Sequence, residues 1–93
     1  MPMSKATVAT EHASRYLQQL CKHWGHKFTV EFTPSEGRID LGEGRIVEMI
    51  ADDKALKLTL EAADLDRLQQ VVVDHIVRFA FREELVFDWQ PAA

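Results

Sequence analysis

KFTVEFT, residues 27–33, switches between apolar and polar side chains at every step. Phe28, Val30 and Phe32 fall on one side, and Lys27, Thr29, Glu31 and Thr33 on the other. A period of two belongs to a strand. With apolar groups on one side only, the strand must lie in a sheet that buries a single face. ALKLTLEA, residues 55–62, repeats the pattern with Leu56, Leu58 and Leu60 inward. Between the two segments, Pro34, Ser35, Glu36 and Gly37 form a turn. Ile39 and Leu41 then alternate with Arg38 and Asp40, and Gly42 and Gly44 bracket a reversal. RIVEMIA, residues 45–51, reads as a further strand with Val47, Met49 and Ala51 inward and Glu48 outward. Asp52, Asp53 and Lys54 make the last turn of the run. Four strands with short connections predict an antiparallel meander.

On either side of this meander the period lengthens. Ala13, Tyr16, Leu17, Leu20, Cys21 and Trp24 recur at spacings of three and four, the apolar stripe of a helix. Thr10 is placed to cap its start, and Gly25 to cap its end in the left-handed region. After the strands, Asp64 opens a second helix whose core stripe is Leu65, Leu68, Val72, Ile76 and Phe79, running to about Glu84. LVFDW, residues 85–89, alternates again, as a short edge strand or as an extended segment laying its aromatics on the core. Residues 1–9 show no clear period and are expected to fray or lie extended. The expected fold is a single α+β domain over residues 1–93. It is a two-layer sandwich ordered helix, four-stranded antiparallel meander, helix, then a short C-terminal extended segment. Lys27, Thr29, Glu31, Lys57, Thr59 and Glu61 would face water on the open side of the sheet.

The chain has 93 residues, room for one core and too few for a barrel of about 200 residues. Its 11 basic and 15 acidic residues give a net charge of −4, which argues against a nucleic-acid binder. Cys21 is the single cysteine, so neither an internal disulfide nor a cysteine zinc cluster is open to it. A reducing compartment, with a cytoplasmic location and no membrane association, is expected. No glycine-rich phosphate loop, His-Glu-x-x-His or Gly-x-Ser-x-Gly occurs, and no cofactor is expected.

Side chains able to do chemistry gather in two places. CKHWGHK carries His23 and His26 around the end of the first helix, with His12 three turns earlier on nearly the same face and Arg15 and Gln19 along that edge. On the second helix His75, Arg78 and Arg82 are spaced by three and four, beside the core stripe. Imidazoles bind anions or transition metals, and guanidinium forks suit carboxylate or phosphate. Satisfaction by helix-end carbonyls and by internal salt bridges to Glu83 or Glu84 is the alternative. Val73, Val77 and Phe81 widen the apolar girth of the second helix, so helix 1, the tail or a second copy must cover them; a homodimer is the expectation.

ASRYLQQLCKHWGHKF (residues 13–28) and HIVRFAFREEL (residues 75–85), with GRI, MIAD and LTLEAAD between them, resemble the bacterial family known as domain of unknown function 2218. The resemblance spans about residues 8–89 and places His23, Trp24, His26, His75, Arg78, Phe79, Arg82 and Glu83 on its motifs. It implies a small free-standing bacterial protein, similar to a segment fused to siderophore-interacting flavoproteins that release iron reductively. The flavoprotein part is not in this chain, so flavin and nicotinamide binding do not carry over. The expected function is a non-enzymatic accessory module in siderophore or iron utilisation. It would bind a small anionic ligand or a partner such as a siderophore-interacting flavoprotein through His23, His26, His75, Arg78 and Arg82. The alternatives are a small metal-dependent enzyme using His12, His23, His26 or His75, and a structural dimer joined at Val73, Val77 and Phe81.

Overall fold

The computed structural model describes residues 2–92. The chain runs β1 (Met3–Ala9), α1 (Ala13–Trp24), β2 (Thr29–Phe32), β3 (Glu36–Gly42), β4 (Arg45–Ala51), β5 (Ala55–Glu61), α2 (Leu65–Phe79) and β6 (Gln90–Pro91). All strands pair antiparallel in one sheet of six, in the order β2-β3-β4-β5-β1-β6. The class is α+β. The helix-first, four-stranded layout is corrected: β2–β5 are consecutive neighbours, but β1 and β6 extend the sheet beyond β5.

The strands bury one face, as their alternation requires. Ile39, Val47, Met49, Leu56, Leu58 and Leu60 point inward with almost no exposure. Leu17, Leu20 and Cys21 from α1, and Leu68, Val72 and Ile76 from α2, close over them in the same core. Gly37 sits on the inner side of β3, where α1 passes closest. A Cβ there would lie 2.9 Å from Cys21 Sγ and 3.2 Å from Leu17 Cδ2.

Of the two forms expected for the N-terminal residues, frayed or extended, the extended one is found over Met3–Ala9, as a paired strand. β1 pairs with β5 from Met3↔Glu61 to Ala9↔Ala55 and buries Ser4, Ala6 and Val8. Its alternation is real but is carried by small side chains, so the apolar signal is weak. Met1 and Ala93, part of the expected single domain, lie outside the described residues.

The helix ends differ too. α1 begins at Ala13, and buried Thr10 accepts the His12 backbone N–H at 3.0 Å. Gly25 is right-handed (φ −62°) and its N–H closes the helix on the Cys21 carbonyl at 2.9 Å. Left-handed backbone occurs instead at the β3–β4 hairpin, Gly42, Glu43 and Gly44 with φ of 83°, 59° and 78°. α2 stops at Phe79, short of Glu84, because Ala80 leaves helical geometry and a turn closes from the Glu83 N–H to the Ala80 carbonyl at 3.1 Å. β2 starts at Thr29 and is an edge strand, so Phe28 and Val30 are half-buried and Phe32 is 39% exposed. Residues 85–89 take the extended of the two expected forms, and the edge strand falls beyond them, where Pro91 was expected to end the segment. Leu85, Phe87 and Trp89 pack on the core, and Gln90–Pro91 then pair with β1.

Candidate functional site

α1 and α2 lie on the same sheet face and run antiparallel. His23, near the end of α1, meets His75 and Phe79 of α2, whereas Tyr16, one helix turn into α1, meets Glu83 beyond the end of α2. The seam between them brings Tyr16, His23 and Trp24 of α1 against His75 and Phe79 of α2 and against Glu83.

At one end the His23 and His75 ring centroids are 5.1 Å apart with planes inclined at 55°. The Trp24 ring is 5.0 Å from His75 on α1's side, and Phe79 is 6.3 Å from His23. His75 Nδ1 lies 2.7 Å from the Val71 carbonyl oxygen one turn back. A carbonyl only accepts, so Nδ1 donates and a neutral His75 keeps its lone pair on Nε2.

At the other end is a groove of about 500 Å³ between His12, Arg15 and Tyr16 on one wall and Phe81, Arg82 and Glu83 on the other. The Arg82 guanidinium stands 5.3 Å over the Phe81 ring, within cation–π range. Glu83 does not pair with these arginines; its carboxylate accepts the hydroxyls of Thr10 at 3.0 Å and of Tyr16. Burial, followed by the hydrogen bond and charge of Glu83, pushes the Tyr16 phenol up to about 12. The arrangement leaves two guanidiniums and an imidazole on the rim of one groove, around a carboxylate already taken up by hydroxyl donors.

His23 and His75 therefore meet, and Arg82 reaches the far end of the same seam. Arg78 is exposed on α2, and His26 is exposed in the turn beyond α1; neither joins the His23–His75 contact. Val73 is half-buried, while Val77 and Phe81 are 48% and 77% exposed. The Tyr16–Glu83–Thr10 network was not legible as a site, because its members are 67 and 73 positions apart and Tyr16 reads only as part of an apolar stripe. Among the described residues no group of three or more His, Cys, Asp and Glu is placed to hold a metal ion. Cys21 is a buried free thiol whose pKa burial raises to about 11, so it is not a poised nucleophile. A depression of about 540 Å³ on the open sheet face mixes Glu31, Arg38, Glu48 and Lys57 without gathering one sign of charge.

The model of a bacterial family described as "Uncharacterized protein conserved in bacteria (DUF2218)" matches residues 5–90. The chain belongs to this family. The DUF2218 match takes in both helices and all strands except the start of β1 and the end of β6. An NMR structure of PA4090 from Pseudomonas aeruginosa is similar at 46% identity, over 99% of this chain and 98% of that one, with a TM-score of 0.80. No curated protein matches the chain. No helix of this DUF2218 domain, among the described residues, is long and apolar enough to cross a membrane.

Proposed function

We propose that this DUF2218 domain is a non-enzymatic binding module that takes a small polycarboxylate or chelate anion into the seam between α1 and α2. The observation that carries the reading is the gathering of His12, Arg15 and Arg82 around one groove in a chain of net charge −4. Guanidinium forks bind carboxylates through paired charge-assisted hydrogen bonds, and the exposed Phe81 offers an apolar wall for the ligand's body. His23 and His75 extend the basic margin along the seam. The resemblance to segments fused to siderophore-interacting flavoproteins supports a ferric chelate as the anion, such a flavoprotein as the partner, and the cytoplasm as the place of work. Calorimetric titration with citrate and with ferric citrate at low ionic strength tests this. Arg15→Ala and Arg82→Ala should each weaken binding by at least about tenfold, in line with the roughly 1.5–3 kcal/mol of a hydrogen bond to a charged group. Binding that is equal in all three proteins, or absent from all, removes the reading.

A second reading rests on the exposed Val77 and Phe81. Here Val77, on the outer face of α2, and Phe81, in the turn beyond its end, join a second copy of the chain, making the module a homodimer. Light scattering should then show Val77→Asp as a monomer beside a dimeric parent, and a parent of monomer mass would rule this out.

A further inference from the structure

We propose that His23 and His75 form a two-imidazole site for a borderline divalent transition-metal ion, Cu(II) foremost and Zn(II) after it. The inference stands apart from the anion reading, because it needs neither Arg15 nor Arg82. Two metal–imidazole bonds of about 2.0–2.1 Å separate ring centroids by roughly 4.5 Å at the right angle of a tetragonal ion and roughly 5 Å at a tetrahedral one. The observed separation is 5.1 Å, so the two rings already stand at the spacing such an ion requires. The hydrogen bond from His75 Nδ1 to the Val71 carbonyl fixes one ring as a metal site would, with Nδ1 carrying the proton and Nε2 free to donate its lone pair. Trp24 and Phe79 pack beside the two rings and restrict their rotation. The ligands come from different helices, so binding an ion also ties α1 to α2.

Imidazole donors suit Zn, Cu and Ni, and the order of affinities puts Cu(II) first. His23 is exposed and His75 partly so, which gives the ion a path from solvent. Among the described residues no further His, Cys, Asp or Glu completes a three-ligand group, so the remaining positions on the ion belong to water or to an added anion. The site is thus an open one, with two fixed donors and exchangeable positions.

The test is titration of the tag-free protein with Cu(II) and Zn(II) salts. Cu(II) should bind at one equivalent and quench tryptophan emission, since Trp24 lies beside His75. His23→Gln and His75→Gln should each weaken binding tenfold or more, and His12→Gln/His26→Gln should stay within twofold of the parent. Unchanged binding in either single variant, or loss of binding in the double variant, overturns the proposal. Should a single variant fail to fold, imidazole NMR spectra of the parent decide. One equivalent of Zn(II) should move the ring signals of His23 and His75 and leave those of His12 and His26 in place, and the reverse pattern, or no movement, overturns it.

Discussion

Gly37 and Cys21 meet where α1 crosses β3, and the contact leaves no space for another carbon. Gly37→Ala should therefore lower the melting temperature, by an amount corresponding to about 1–3 kcal/mol of overpacking; a variant as stable as the parent would show that α1 can shift. Reading Gly37 as a turn residue missed this, because a glycine beside Pro34 and Ser35 carries the turn signal whatever lies across from it. Tyr16 gives a second residue-scale prediction. Its phenol ionises near pH 10.0 when unfolded and at about 12 in the fold. The folded state thus holds the proton longer, so this contribution to stability is complete below pH 10.0 and is lost as pH rises toward 12. Cys21 acts in the same sense between 9.0 and about 11. Tyr16→Phe should cost about 1–2 kcal/mol at neutral pH, where the hydroxyl to Glu83 is missed. It should also lose stability less steeply than the parent through the alkaline range in urea melts; parallel curves would mean that the phenol is not the group responsible.

β1 is the element that reorganises the sheet. It lies between β5 and β6, so its amides face a strand on each side near Ser4 and Lys5. Hydrogen exchange should find the β1–β5 ladder among the slowest amides and the β2 edge faster; rapid exchange through Ser4–Val8 would contradict the pairing. The four strands from β2 to β5 were legible because leucine, valine and phenylalanine alternate against charges. β1 was not, because Ser4 and Ala6 fill inward positions where larger apolar groups would have betrayed the period. The helices were legible from their stripes, but their ends were not. Thr10 looks like a helix cap and is instead a buried link to Glu83, and Glu83 holds the turn that follows α2.

For the whole molecule, one sheet face is covered by two antiparallel helices and the other is open, so the helices' polar margins converge on a single seam. The candidate residues could be read from their spacing: His75 and Arg78 on α2 with Arg82 just past its end, and His23 on α1 with His12 just before its start. Which of them meet could not, since that depends on how far α1 has slid along α2. The packing sets His23 against His75 and Arg82 near Arg15, and leaves His26 and Arg78 outside those contacts. On the proposed function, this basic seam is where the protein takes its anion. Backbone and side-chain NMR shifts during a citrate titration test it most directly. Movement should concentrate at His12, Arg15, Arg82 and the adjoining turns of α1 and α2, with β2–β4 still. Shifts centred on Arg38 and Lys57 of the open sheet face, or none at millimolar citrate, would contradict it.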